Sequence, residues 1–296
     1  MLGALVRRNM RLFFKDKGMF LTSLITPLIL LLLYVSFLGN VYRDSFESAF
    51  AAFGGIDEGI LSGLVGGQLM SSVLAVSCVT VAFCSNFLMV QDKVTGAERD
   101  FAITPVGYFT RAMGYFLASF FSSLLICVVA AVACMIYLAF IGWYLSIADI
   151  VWILLDLVLL VGFGTALSGI VNSFLKSQGQ ISAVGTVVSS CYGFLCGAYM
   201  PISQFSPALQ KLLSFLPGTY GTALLRNHCM DGAFRAMASD GAPEEAVELM
   251  RETVDCRIFF FDHSVPIPVM LGILAGTVAL CTALYVGMHY RKGAKR

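Results

Sequence analysis

The sequence predicts an all-α integral membrane protein with six transmembrane helices. Three observations carry this. Of 296 residues, 58% are hydrophobic and only 12% are charged. Mean hydropathy is +0.84. The apolar residues gather into runs of about 20, the length a helix needs to cross a hydrocarbon core of ~30 Å. A soluble enzyme, a nucleic-acid-binding protein or a disordered chain is excluded, because each needs more polar surface than this composition supplies.

The elements follow in chain order within one transmembrane domain covering residues 1–296. Residues 1–17 hold LGALVRRNMRLFFK. Leu2, Leu5, Val6, Leu12 and Phe13 share one helical face, with Arg7, Arg8, Arg11 and Lys15 on or beside the other. Such a helix lies in the membrane interface with its cations near anionic head groups. Spans are expected at 18–39, 64–91, 111–142, 150–171, 181–200 and 265–290. The first run is longer than a signal-peptide core and lacks an A-x-A site, so it reads as a retained span. Residues 40–60 form an external connector broken at Gly54-Gly55. Residues 92–110 form a short charged loop in which Phe101, Ile103 and Pro105 follow Gly96, Glu98 and Arg99. Apolar residues in a solvated loop point to docking. Residues 201–264 begin with two helical pieces, 208–215 and 220–227, separated by Pro217-Gly218. Neither can span, so they fit a re-entrant helical hairpin or a pair of interfacial helices. A soluble external loop with an acidic amphipathic helix over 243–257 completes this region.

Charge gives the orientation. Thirteen of 19 Lys and Arg residues fall in the N-terminal segment, the 92–110 loop with the adjoining Arg111, the connector at Lys176 and the C-terminus. Thirteen of 18 acidic residues fall on the other side, leaving Asp156 as the one acid deep in a span. The excess of basic residues puts both termini in the cytoplasm. Asp156 is either functional or satisfied by a Ser, Thr or Tyr on a neighbouring span. Seven of nine cysteines lie in spans without metal-ligand spacing, and His228, His263 and His289 are scattered, so no metal site is expected. Cys229 and Cys256 lie in the external loop, paired if the compartment is oxidising and free thiols otherwise. No G-x-x-x-x-G-K-[ST] run is present, and a single embedded carboxylate makes no ion relay. A transporter of this kind takes its energy from a partner.

The order of features resembles the membrane subunit of a type-2 ABC exporter. The likeness rests on the basic N-terminal helix, on Gly18 and Pro27 in span one, and on KVTGAERDFAITPV with its Thr104-Pro105-Val106. It rests also on CGAYMPISQFSPALQKLLSFLPGTYGTALLRN, with Gly197, Pro201, Pro217, Tyr220, Leu225 and Arg226. The resemblance implies that this chain is not itself an enzyme and holds no cofactor, ATP and Mg being bound by a separate P-loop ATPase subunit. Residues 92–105 would then be the coupling helix, with Lys93, Glu98, Arg99, Phe101, Thr104 and Pro105 as coupling residues. It also implies a second permease copy or homologue, surrounding membrane lipid, residence in a bacterial inner membrane, and no nucleic-acid partner. Spans two and five would face the pathway, which makes Phe83, Phe87, Tyr192, Phe194 and Met200 candidate lining residues, with helix packing as their alternative role. Asp156 is a further candidate. Pro201, Pro217 and Tyr220 would form an external gate. The external loop is longer than in polysaccharide-type members, which favours a drug, peptide or lipid cargo over a long glycan. The rival readings are a polysaccharide-type permease, a non-transporting assembly or sensor subunit, and a secondary transporter, which the scarcity of buried charge disfavours.

Overall fold

A computed structural model describes residues 1–50, 55–102, 104, 106–261 and 263–294, without side chains at 99, 101, 102 and 291–294. It is all-α apart from one two-stranded ribbon. Helix α1 (Leu2–Lys15) buries Asn9 and Phe13, and Phe13 packs with Val81 and Ile126. Asp16 ends it and starts the next helix: its carboxylate accepts from the backbone N–H of Gly18 (2.9 Å) and Met19 (3.1 Å), capping α2 (Lys17–Leu33). The chain then runs through a π-helical turn (Tyr34–Leu38) into α3 (Gly39–Phe50). The expected connector from residue 40 is therefore helical to residue 50. The cause is a four-residue repeat: Tyr42, Phe46 and Phe50 are all buried, and Tyr42 stacks on Tyr34 with ring centroids 6.0 Å apart.

Helix α4 (Glu58–Asn86) is the axis of the molecule, buried along almost its whole length. It is apolar or small-residued on every side, as a helix surrounded by other helices must be. At its closest approach to α8 (Ile147–Phe174), a Cβ on Gly164 would lie 2.9 Å from Val79 Cα. Polar contacts help fix α4 against its neighbours: Ser85 Oγ lies 2.5 Å from Ser119 Oγ and 2.9 Å from Ser123 Oγ on α7 (Tyr108–Ile141). Asn86 donates to Ser168 Oγ of α8 at 3.0 Å. Exposed Leu125, Val129, Val132, Ile136 and Phe140 form an outward apolar stripe on α7, as a lipid-facing helix requires.

Between α4 and α7 lie α5 (Leu88–Thr95) and α6 (Ala97–Ala102), separated by Gly96 at φ +85°, a left-handed conformation that favours glycine. A capping box of Ser146 and Asp149 opens α8. Helix α9 (Gln178–Leu195) is shorter than the expected 181–200 span: residues 196–200 unwind, with Gly197 at φ +73°. Its 18 residues reach about 27 Å at 1.5 Å per residue. Among the described residues, five helical segments are long and apolar enough to cross a membrane: Lys17–Phe50, Glu58–Thr95, Tyr108–Ile141, Ile147–Phe174 and Ile267–Tyr290.

A 3₁₀ turn (Ile202–Gln204) leads to α10 (Pro207–Leu213) and α11 (Pro217–Ser239). Helix α11 corrects the expected soluble loop from residue 228: it continues to residue 239 and buries Cys229, Met230, Ala233, Phe234 and Met237. Those residues recur at helical spacing and pack α11 against α4, α8 and α13 (Ile267–Ala294). Helix α12 (Glu244–Thr253) occupies the expected acidic stretch. An unforeseen antiparallel ribbon, β1 (Ile258–Phe260) with β2 (His263–Val265), links it to α13.

Candidate transport groove and coupling segment

A groove of about 1230 Å³ opens between α2–α3 on one side and α9 on the other, with Phe87 at the α4–α5 junction also lining it. Several of its hydroxyls are turned into their own helices: Thr22 Oγ1 donates to Gly18 O (2.7 Å), Thr186 Oγ1 to Ser182 O (2.9 Å) and Ser190 Oγ to Thr186 O (2.7 Å). A hydroxyl bonded to its own backbone adds little polarity to the wall, whose remaining polar side chains include Gln91, Gln178 and Gln204. Among the described residues the only charged side chain lining the groove is Asp16, whose carboxylate is occupied in capping α2. The surface suits an apolar or amphipathic molecule that offers few hydrogen bonds.

The groove collects some of the residues expected to line a pathway. Phe87, Phe194, Met200 and Pro201 line it. Phe83 is instead in the core, 4% exposed. The Tyr192 hydroxyl is buried without a hydrogen-bond partner among the described residues and packs at Gly218, the second residue of α11. Sequence reasoning missed Tyr34, Tyr42 and Tyr199, which supply aromatic wall. The i, i+4 aromatic repeat of Tyr42 and Phe46 was the available signal.

Asp156 lies away from the groove. It is fully buried between α8 and α11, its Oδ2 2.6 Å from His228 Nδ1. The His228 ring stacks on Trp152 with centroids 5.4 Å apart. The partner is thus a histidine of α11 rather than the Ser, Thr or Tyr expected.

At the other end of α4, adjacent residues of α5 tie together several helices. Asp92 accepts from Arg8 Nη1 of α1 at 2.6 Å and from the Tyr115 hydroxyl of α7 at 2.5 Å. Burial opposes the charge on Arg8, but the hydrogen bond and charge of Asp92 outweigh it and raise the guanidinium pKa. Lys93 Nζ donates to Asn172 O at 3.1 Å, satisfying a carbonyl at the C-terminal end of α8. Lys93 therefore points into this molecule. Beyond the Gly96 turn, Glu98 is half-buried and Asp100 exposed on α6, and Thr104 is exposed. Pro105 and the side chains of Arg99 and Phe101 lie outside the described residues.

Pro201 is buried, Pro217 sits half-buried at the first turn of α11, and the Tyr220 hydroxyl donates to Ser214 O at 2.6 Å. The same region holds a buried polar node that the sequence did not disclose. Arg226, 1% exposed, donates to Gly197 O at 2.8 Å and faces the Asp255 carboxylate at 3.6 Å. Asp255 in turn accepts from the backbone N–H groups of Ile202 and Ser203 (3.3 Å for the latter). Cys229 and Cys256 are separate, buried free thiols with no bond between them.

The family model for ABC-2 type transporters matches residues 2–228, from α1 to the middle of α11. No curated protein matches the chain. The match covers well over half of the sequence, and the chain belongs to the ABC-2 type transporter family as a membrane permease.

Proposed function

We propose that this permease exports a hydrophobic or amphipathic compound (a drug, peptide or lipid) across a cytoplasmic membrane, driven by a separate P-loop ATPase subunit that binds ATP and Mg. The observation that carries the reading is the groove of about 1230 Å³, whose wall is mainly apolar and, among the described residues, carries no charged side chain but the capping Asp16. In this reading α9 is a sixth, shortened crossing, both termini are cytoplasmic, and α10–α11 fold back from the external side. The turn before α10, with Pro201, and the α10–α11 junction, with Pro217 and Tyr220, close the groove outward. A second copy, or a homologue, faces the groove and completes a dyad pathway. The segment 92–105 meets the ATPase through α6, where Glu98, Arg99 and Phe101 sit. Asp92 and Lys93 hold the base of that segment to α1, α7 and α8.

The test is ATP-dependent efflux of a hydrophobic fluorescent compound from vesicles containing the permease and the ATPase with which it co-purifies. Glu98→Ala with Arg99→Ala is expected to abolish efflux while leaving the complex and basal ATP hydrolysis in place. Efflux and cargo-stimulated ATPase activity unchanged in that variant would overturn the coupling role. Cargo stimulation unaffected by Phe87→Ala with Phe194→Ala would overturn the groove as the pathway.

A further inference from the structure

We propose that the groove between α1 and α7 is a binding site for an anionic glycerophospholipid of the adjoining leaflet. The groove measures about 580 Å³. Val6, Met10 and Phe14 of α1 and Leu117 and Phe121 of α7 line it, with Arg7 and Arg11 at its edge. This inference is independent of the cargo and of the ATPase.

The position of α1 holds the groove open. Leu5 packs onto Gly114 of α7 so closely that a Cβ there would lie 3.0 Å from Leu5 Cβ. Phe13 is packed against Val81 and Ile126, and Arg8 is bound to Asp92. These contacts fix α1 by residues other than those at the groove. What remains on the groove side is apolar, and Phe121 is 46% exposed.

Charge decides the occupant. Three arginines stand on one short helix, and they are used differently. Arg8 is neutralised internally by Asp92. Arg7 and Arg11, one turn apart and exposed, form no ion pair with any described acidic residue. Two guanidinium groups at i, i+4 present planar donor forks to one phosphate, and the apolar floor beneath them takes an acyl chain. Depth agrees. Ile141, at the other end of α7, is about 30 Å along the helix from Phe121, one hydrocarbon thickness. Phe121 is therefore placed where chains meet head groups, and two cations without counter-charges select an anionic head group over a zwitterionic one.

The test uses the full chain carrying Phe121→Trp in phosphatidylcholine vesicles. Tryptophan quenching by chain-brominated phosphatidylglycerol is compared with quenching by chain-brominated phosphatidylcholine. The native Trp143 lies just beyond the far end of α7 and Trp152 near the start of α8, and their signal is subtracted using the unsubstituted protein. The expected preference for the anionic lipid is roughly five- to thirty-fold, the scale set by two basic groups at a membrane surface. Arg7→Gln with Arg11→Gln should abolish the preference, Arg7→Lys with Arg11→Lys should keep most of it, and Lys15→Gln should leave it unchanged. Equal quenching by the two lipids with both arginines present would reduce the groove to ordinary lipid contact and overturn the proposal. Quenching by neither would mean that protein, a second copy or a partner, covers the groove, and would overturn it too. The lipid comparison in the Phe121→Trp protein decides the matter even if the glutamine variant fails to fold.

Discussion

Replacing Asp255 with asparagine should unsettle the external side of the molecule out of proportion to the one atom changed. Asp255 faces Arg226 at 3.6 Å, both are almost completely buried, and Arg226 Nε has no hydrogen-bond partner among the described residues to fall back on. Asp255→Asn leaves a guanidinium in the interior with only the Gly197 carbonyl, and breaking a buried pair in this way costs about 3–5 kcal/mol. Asp255 also receives the N–H groups of Ile202 and Ser203, one per carboxylate oxygen. An amide can accept only one of them, which adds about 1 kcal/mol. Desolvating two charges consumes much of what their pairing returns, so removing both should cost much less than the sum of the single changes. Arg226→Met with Asp255→Asn is expected to recover about 2 kcal/mol or more of coupling in a double-mutant cycle. Equilibrium unfolding in a denaturing detergent measures both quantities. A loss below about 1 kcal/mol for Asp255→Asn, or strictly additive single changes, would refute the reasoning.

Three further outcomes are expected. Gly232→Ala should destabilise by about 1–3 kcal/mol or more, because the new methyl meets the backbone carbonyl of Tyr144 and a backbone atom cannot rotate away. Gly272→Ala, with nothing within 4 Å of the added carbon, should leave thermal stability within about 0.5 kcal/mol, and equal melting shifts for the two would contradict the packing. Burial pushes the Cys256 thiol up to about 12, so its thiolate is on the order of one part in 10⁵ near neutral pH. Maleimide labelling there should be negligible in the folded protein, rise about tenfold per pH unit, and become fast on unfolding; non-reducing mass spectrometry should find Cys229 and Cys256 both free. Asp92→Asn should loosen α1, since Arg8 and Tyr115 both depend on that carboxylate, and should appear as faster proteolysis within residues 2–15; an unchanged cleavage rate would show that Leu5 and Phe13 alone seat the helix.

Hydropathy made α4, α7, α8 and α13 legible, because a long apolar run has few ways to satisfy its backbone other than a helix. It misjudged ends, for specific reasons. Arg43, Asp44 and Glu47 made residues 40–50 read as a solvated connector, and averaging over them hid the buried repeat of Tyr42, Phe46 and Phe50. Residues 196–200 read as membrane-spanning because CGAYM is mostly apolar. The turn at Gly197 is held from elsewhere: Arg226 binds its carbonyl, and the Tyr34 hydroxyl donates to Ala198 O at 3.0 Å. Asp156 stands out in the sequence as an anomaly, yet its partner His228 is 72 residues away, at the point on α11 where the sequence predicts the helix to give way to loop. Partners of buried charges are set by how helices pack, and periodicity along one helix carries no record of that.

The two polar nodes give the proposed mechanism a mechanical form. Asp92 and Lys93 are consecutive, yet they engage different elements: Asp92 holds α1 and α7, while Lys93 holds the last carbonyls of α8. Any displacement of α5 is therefore shared among three helices rather than absorbed by one. Helix α8 runs from that contact to Asp156, whose carboxylate is bonded to His228 of α11. Two residues earlier on α11, Arg226 grips Gly197 at the end of α9 and, through Asp255, the turn that precedes α10. Buried charges resist separation because each left alone costs several kcal/mol, whereas apolar contacts slide at small cost. In the proposed mechanism the charged contacts would transmit motion along α8 and α11, and the mainly apolar groove between α2–α3 and α9, which carries no such contact across it among the described residues, would be the part free to change width.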